Sequence, residues 1–233
     1  MVPCLNKKII VFAPHPDDEV LGCGGTILKR VTQGYEIILV VLTDGRHALS
    51  YFGIHSNPTP EEIKQVRLNE MLRATRILGI SPTNLFLWNF EDGKLSSNKK
   101  EVASRVCEIL KQVQPIEIYF PYEKDEHVDH QVTGLIILYC LKKLNISPLG
   151  YRYSLAHNYS RLEHFKARIR NFLMHDPIFV DVSTFLQQKT LALKEYKSQT
   201  SLSYATQKQP VISNVSRFLR KHEIFYPINV ARQ

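Results

Sequence analysis

Short apolar runs alternate with amphipathic segments in the first half of the chain. Residues 8–13 are apolar and rich in β-branched side chains, and residues 20–34 then carry apolar side chains at helical spacing. Pro14 and Pro16 separate these two segments. Residues 35–42 form a run dominated by Ile, Leu and Val, which is typical of a strand buried on both faces of a parallel sheet. The pattern therefore predicts a strand, a loop, a helix and a second strand, in that order.

The next segments repeat this arrangement. A second helix is predicted to begin after Thr59, because Pro60 stands at the first helical position and Glu62 three residues after the cap. This helix is expected to end at residue 78 or 79. The pattern then predicts a strand over residues 85–88, a helix over residues 100–112 and a strand over residues 116–120. Three strand–helix units in series predict a Rossmann-like α/β fold, an open and mostly parallel sheet with helices on both faces.

The second half of the chain is predicted to continue with a helix from residue 129 to about residue 144. Two strands follow over residues 151–157 and 178–182, and a helix over residues 184–196. The segment beyond residue 196 has no clear pattern. Because the sequence contains no internal repeat, low-complexity segment or linker, we expect a single domain over residues 1–233.

Composition adds few constraints. The longest apolar runs are far shorter than the roughly 20 residues that span a bilayer, so we expect no membrane span and a cytoplasmic location. The four cysteines form no C-x-x-C pair, and reduced thiols are the expectation. The net charge of +8 is interpreted as a basic solvated surface, with a phosphorylated or lipid-surface partner as the alternative and no nucleic acid expected. Whether the chain forms a homo-oligomer is left open.

A cluster of charged residues follows the first predicted strand. His15 stands between two prolines, and Asp17, Asp18 and Glu19 follow it. This is the position at which open α/β sheets bind ligands. Adjacent carboxylates repel one another unless a cation or a helix N-terminus compensates for their charge. The cluster therefore indicates a functional site at the carboxyl edge of the sheet.

A second cluster follows the fourth predicted strand and belongs to the same edge of the sheet. It contains Asp125, Glu126, His127, Asp129 and His130. Imidazoles and carboxylates are ligands suited to zinc, and a catalytic zinc site typically has three protein ligands and an open position. The two clusters together therefore predict a zinc site.

The motifs in these clusters resemble those of the LmbE-like or PIG-L zinc N-deacetylases, whose members act on N-acetylated amino sugars and their conjugates. The resemblance extends over nearly the whole chain and rests on Pro14-His15-Pro16-Asp17-Asp18-Glu19 with Gly22, Gly24 and Gly25, on His127-Val128-Asp129-His130, and on Ser198-Gln199. The three glycines do not match a nucleotide-binding loop, and we interpret them as positions of close helix packing.

The resemblance implies a role for each matching residue. Asp17 would be the general base that activates water, and His127 would face the reacting carbonyl. Asp129 would orient a histidine ring, as carboxylates do around many zinc sites. Whether His127 or Asp17 protonates the leaving amine stays open. The implied zinc ligands are His15, Asp18 and His130.

Three further residues are candidates for substrate contact. Arg46 stands where many relatives carry an acidic residue, which indicates either an anionic substrate or a surface charge. Arg67 could touch substrate or form an exposed helical pair with Glu70, and we expect the exposed pair. Tyr122 precedes the second cluster and is expected to line the pocket.

The predicted function is the zinc-dependent hydrolytic removal of an acetyl group from an N-acetylglucosamine-type sugar conjugate, which releases acetate and a free amine. The aglycone is unassigned, although the positive charge favours an anionic one, and iron, cobalt or manganese could occupy the same ligands. The alternative is a catalytically silent metal- or sugar-binding protein of the same fold. The presence of Asp17 disfavours it, because the family uses this residue for chemistry. A dinucleotide-binding oxidoreductase is also disfavoured, since no glycine fingerprint follows the first strand.

Overall fold

The computed structural model describes residues 7–155, 177–204 and 207–228. The described strands are β1 (Lys8–Ala13), β2 (Glu36–Thr43), β3 (Leu85–Phe90), β4 (Glu117–Pro121), β5 (Leu149–Tyr153), β6 (Ile178–Asp181) and β7 (His222–Ile228). They form one sheet in the order β3-β2-β1-β4-β5-β7-β6. The strands from β3 to β5 in this order pair in parallel, whereas β7 is antiparallel to both β5 and β6. The predicted open, mostly parallel sheet is confirmed.

Helices cover both faces of the sheet, also as predicted. The described α-helices are α1 (Asp18–Thr32), α2 (Pro60–Ile77), α3 (Lys99–Val113), α4 (Val128–Leu144), α5 (Leu186–Glu195) and α6 (Lys197–Thr200). Alternate side chains of β1 point to opposite faces, so that Ile9 and Val11 pack under α1, α2 and α5, and Ile10 and Phe12 pack under α3 and α4. None of the described helices is long and apolar enough to cross a bilayer.

Local sequence signals explain where several elements begin. Thr59 and Glu62 form the predicted capping box at the start of α2, with Pro60 in the first turn. The strand predicted over residues 151–157 is β5, which begins earlier and ends at Tyr153, and residues 156–157 lie outside the described part. Strand β7 was not predicted. Its segment contains Pro227 and a buried Glu223, and neither residue is typical of a strand.

The glycines of the first helix permit close packing, as the sequence predicted. A Cβ atom on Gly22 would lie 2.7 Å from the ring of Tyr153, and one on Gly25 would lie 2.7 Å from Val182. These distances are too short for any larger residue unless the neighbours move. The glycines therefore allow α1 to approach β5 and the segment after β6.

The topology brings the two sequence clusters to one place. Strands β1 and β4 are parallel neighbours at the centre of the sheet, so both end at the same edge. The first cluster occupies the turn from β1 into α1, and the second occupies the loop from β4 into α4. Helix N-termini also point toward this edge, which favours negative charge there.

Candidate metal centre

Three donor atoms from the two clusters form a small triangle at the carboxyl edge. His15 Nδ1 lies 3.2 Å from Asp18 Oδ2, and His130 Nε2 lies 3.2 Å from the same oxygen. The two histidine nitrogens are 3.3 Å apart. Ligands of a tetrahedral zinc ion, at about 2.1 Å from the metal, are about 3.4 Å from one another. The spacing of the three atoms therefore fits a zinc ion.

A backbone hydrogen bond in the turn before α1 holds His15 and Asp18 next to each other. Asp18 is the first residue of α1, and its Oδ2 also accepts a hydrogen bond of 2.8 Å from the His15 backbone N–H. His130 lies in the first turn of α4, where the helix start fixes its direction. All three side chains are at least 90 % buried, so the site is shielded from bulk water.

The outer nitrogen of each histidine faces a carboxylate. His15 Nε2 lies 3.3 Å from Asp129 Oδ2 and 3.2 Å from Asp92 Oδ1. His130 Nδ1 lies 3.6 Å from Asp125 Oδ2, which is within ion-pair range but too long for a hydrogen bond. Carboxylates in this position orient a ligand histidine and raise its basicity. The structure thus places Asp129 beside His15.

Asp92 and Asp125 were not assigned a role from the sequence. Asp125 lies within the second motif cluster and was visible as one of its acids. Asp92 follows the end of β3 by two residues, so its position at the carboxyl edge of a strand was a usable signal. The sequence analysis did not assign it a role because the Glu91-Asp92 pair has no histidine beside it and belongs to none of the recognised motifs.

The electrostatics of the site favour a cation. Burial alone would lower the pKa of His15, but Asp92, Asp129 and Asp18 raise it well above its usual value. Burial likewise opposes protonation of His130, yet Asp18 and Asp125 raise its pKa to about 10. In the metal-free protein, two histidines thus retain protons that a divalent cation would replace. The donor set and its surplus of carboxylates fit a metal ion.

Other donor combinations lie around the same histidine. Among the described residues, donor atoms of His15, His127 and His130 lie within 4.8 Å of one another, and so do those of His15, Asp92 and Asp129. The triangle with Asp18 is tighter, with every edge at 3.2 or 3.3 Å. We therefore take His15, Asp18 and His130 as the ligand set that best fits one ion.

Asp17 lies next to the ligands but is held differently. Its backbone has a φ of 118°, and its side chain makes no capping bond to α1. Asp17 Oδ2 instead accepts a hydrogen bond of 3.0 Å from Arg67 Nη2. Burial raises the pKa of Asp17 to about 8, helped by Asp18 and Glu19 and opposed by Arg67. A carboxylate with such a pKa binds protons readily near neutral pH.

The prediction of an exposed Arg67–Glu70 pair is wrong. Both side chains are 3 % exposed, and neither bonds the other. Arg67 donates to the carbonyl oxygens of Gly45 and Pro16 as well as to Asp17. Glu70 accepts hydrogen bonds from the backbone and the side chain of Ser198. Helix α2 therefore supports the loop beside the metal site with one residue and the Ser198-Gln199 motif with the other.

His127 caps helix α4 beside the ligands. Its Nδ1 accepts a hydrogen bond of 3.2 Å from the backbone N–H of Asp129, and its ring centroid lies 4.5 Å from that of His15. Burial lowers the pKa of His127 to about 4, and the positive charges of His15 and His130 contribute. A neutral ring that accepts at Nδ1 carries its proton on Nε2, which makes that atom a hydrogen-bond donor.

The remaining predicted substrate residues differ in exposure. Arg46 is partly exposed and forms a 2.6 Å ion pair with Asp44 at the end of β2. Tyr122 is 1 % exposed, and its ring packs between the Arg152 guanidinium and Tyr226. Tyr122 is therefore a packing residue rather than part of an open pocket wall, and the prediction that it lines the pocket is corrected.

The match of a family model to residues 10–141 identifies the family. The PIG-L family model, described as GlcNAc-PI de-N-acetylase, matches residues 10–141, which include both clusters. The chain belongs to the PIG-L family. Its relatives include the diacetylchitobiose deacetylase of Thermococcus kodakarensis, which is 27% identical over 204 residues, covering 83% of this chain and 70% of the relative.

Solved structures of other proteins share the fold. The N,N'-diacetylchitobiose deacetylase of Pyrococcus horikoshii has a TM-score of 0.69 at 22% identity, covering 95% of this chain and 84% of its own. The 4-carboxy-2-hydroxymuconate hydratase GalB of Pseudomonas putida has a TM-score of 0.67 at 21% identity, covering 83% and 80%. Because a deacetylase and a hydratase share this architecture, the fold alone does not determine the reaction.

Proposed function

We propose that this protein is a zinc-dependent N-deacetylase that hydrolyses the acetamide of an N-acetylglucosamine-type sugar conjugate. The observation that carries the proposal is the triangle of His15, Asp18 and His130, with the separately held carboxylate of Asp17 beside it. Family membership and the deacetylase relatives support the same reaction. We also propose a single domain, since β1 and β7 belong to the same sheet. The cytoplasmic location is proposed from the sequence alone.

In this proposal, His15, Asp18 and His130 hold the zinc ion. When bound, zinc supplies Lewis acidity that polarises a carbonyl group and makes water a stronger nucleophile near neutral pH. Asp129, Asp92 and Asp125 keep the two histidine rings in the orientation that ligation needs.

Asp17 is proposed to take the proton from the attacking water. Arg67 engages Oδ2 of this carboxylate, so we assign the proton to Oδ1. Arg67 also fixes the carboxylate in place, because its guanidinium bonds the neighbouring Pro16 carbonyl. A positioned general base of this kind contributes about 10²- to 10⁴-fold to the rate.

His127 is proposed to donate from Nε2 to the acetamide oxygen as negative charge develops there. The capping bond to Asp129 fixes its tautomer, and a donor aimed at a developing oxyanion is worth about 3 kcal/mol in comparable sites. The amine that leaves then needs a proton, which either Asp17 or His127 supplies.

The test combines elemental analysis with fluorescent detection of free amine released from a panel of N-acetylglucosamine conjugates. We expect about one zinc per chain, as in other catalytic zinc sites, and amine release that is abolished by His130→Ala. His222→Ala, which alters an exposed histidine at the start of β7, serves as the matched control and should keep both properties. A wild-type chain that binds no divalent metal would refute the proposal. A metal-loaded chain that releases no amine from any conjugate would instead favour a silent binding protein or a hydratase-type reaction.

A further inference from the structure

A tyrosine far along the chain is connected to the backbone of Asp17 through one intermediate residue. The Asp17 backbone N–H donates a hydrogen bond of 3.1 Å to Glu19 Oε2. The other oxygen of that carboxylate, Oε1, accepts a hydrogen bond of 2.5 Å from the Tyr196 hydroxyl. Glu19 and Tyr196 are both fully buried. The Glu19 carboxylate therefore has one oxygen bound to the loop at the site and the other to the C-terminal half of the chain.

Asp17 requires such support because of its backbone. Its φ of 118° lies in a region that side chains other than glycine rarely adopt. The surrounding structure must hold a residue in that conformation, since it is not favoured locally. Arg67 holds the Asp17 side chain and Glu19 holds its amide, so the two contacts act on different parts of the same residue.

Tyr196 is itself fixed in place. It lies between α5 and α6, and the next helix is tied to α2 by the bonds from Ser198 to Glu70. Arg73 of α2 also forms a 2.7 Å ion pair with Glu195, the residue before the tyrosine. The hydroxyl thus comes from a rigid part of the fold and can restrain the rotation of the Glu19 carboxylate.

We propose that Tyr196 is a positioning residue that acts through Glu19 to hold Asp17 in its catalytic orientation. The inference rests on the proposed function, because it assigns Asp17 the role of general base. It also gives the Ser198-Gln199 motif a function, since the motif anchors the segment that presents the tyrosine. A purely structural tyrosine would contribute only to packing and to the stability of the core.

The test compares two substitutions that each remove one buried hydroxyl bonded to a glutamate. Tyr196→Phe removes the bond to Glu19, whereas Tyr119→Phe removes a 2.9 Å bond to Glu117 at the opposite, amino-terminal end of β4. We expect Tyr196→Phe to lower kcat about 10- to 100-fold, because small displacements of a catalytic group have effects of this size. KM, zinc content and Tm should match those of Tyr119→Phe, which should retain the wild-type kcat.

A conservative variant provides a second measurement. Glu19→Gln keeps an oxygen that accepts from the Asp17 amide and gains an NH₂ group that can donate to the Tyr196 oxygen. It should therefore retain most of kcat, whereas Glu19→Ala should lose as much as Tyr196→Phe. Equal kcat values for Tyr196→Phe and Tyr119→Phe, with an active wild type, would overturn the positioning role and leave the proposed function intact. A wild-type chain without deacetylase activity would overturn both.

Discussion

Buried charged side chains contact helix α1 at two places, and the two groups differ in their ratio of acidic to basic side chains. At its N-terminus, Asp17, Asp18 and Glu19 lie close together beside three histidines. In its middle, Glu223 accepts 2.8 Å hydrogen bonds from the amides of Gly25 and Thr26 and a 2.7 Å bond from the ammonium of Lys189. The second group consists of one carboxylate and one ammonium group, and both oxygens of the carboxylate accept hydrogen bonds. The first group also includes Asp92, Asp125 and Asp129, so its carboxylates outnumber its basic side chains.

The difference separates a structural ion pair from a site. A buried pair that is balanced and bonded needs nothing more, and it contributes to the fold by connecting β7 to α1. A buried group with surplus carboxylates is stable only if protons or a cation neutralise it. In the metal-free protein the neighbouring carboxylates favour protons on His15 and His130, because they raise the pKa of both rings. We therefore expect substitutions in the two groups to have opposite consequences.

The largest expected effect is on catalysis. Asp17→Asn removes the proposed base while keeping the shape of the side chain, so kcat should fall about 10²- to 10⁴-fold. The free energy of unfolding should not decrease, because burial already disfavours the ionised carboxylate of Asp17, whose pKa is raised to about 8. Steady-state amine release and urea unfolding measure the two quantities. An Asp17→Asn enzyme with wild-type kcat would show that another group is the base.

The balanced pair should behave in the opposite way. Lys189→Met leaves Glu223 without its counter-charge in a buried position, so the free energy of unfolding should fall by about 3 to 5 kcal/mol. The folded fraction should keep its zinc content and its kcat, because the pair lies away from the ligands. Lys194→Met, at an exposed position on the same helix, is the control. The double variant Lys189→Met/Glu223→Gln should recover part of the loss, and an absence of recovery would mean that packing, not charge, accounts for the effect.

Removal of the metal should make the free energy of unfolding decrease as the pH rises into the alkaline range. In the metal-free protein the pKa of His130 is about 10, against 6.5 for an unperturbed histidine. A raised pKa adds stability that is fully present below pH 6.5 and is lost as the pH rises through 10. The chelated protein should therefore lose up to about 5 kcal/mol of unfolding free energy over this window. The zinc-loaded protein should show no such loss, because its ligand histidines carry no titrating proton at the metal. Parallel pH profiles for the two forms would contradict this assignment.

The proximity of His15, Asp18 and His130 could be predicted from sequence because the three residues lie in short motifs at strand ends. His15 and Asp18 are three residues apart in one turn, and the parallel pairing of β1 with β4 brings His130 to them. The hydrophobic pattern predicts where these strands end, and the family resemblance implies which of the residues bind the metal. The same reasoning predicted the start of α2, which begins at a capping box and a proline.

The parts that could not be predicted depend on tertiary contacts between distant segments. Arg67 looks exposed from the pattern of α2 alone, since nothing local shows that the loop at Pro16 covers it. The pairing of Lys189 with Glu223 requires the position of β7, a strand that the pattern did not indicate. Asp92 belongs to none of the recognised motifs and becomes part of the site only because β3 ends at the same edge.

The smallest expected effect concerns substrate charge at the edge of the site. Arg46 follows β2 and forms an ion pair with Asp44. The carbonyl of the adjacent Gly45 accepts a hydrogen bond from Arg67, and Arg67 also donates to Asp17. Arg46 is thus connected to the proposed base through Gly45 and Arg67, and its guanidinium is partly exposed. Arg46→Ala should raise KM about 2- to 5-fold for phosphate- or carboxylate-bearing conjugates, since exposed charge contacts are worth up to about 1 kcal/mol. It should leave KM for neutral conjugates unchanged. Arg105→Ala, which breaks an exposed pair with Glu101 on α3, should change neither value. Equal changes for charged and neutral conjugates would mean that Arg46 acts only by holding Asp44.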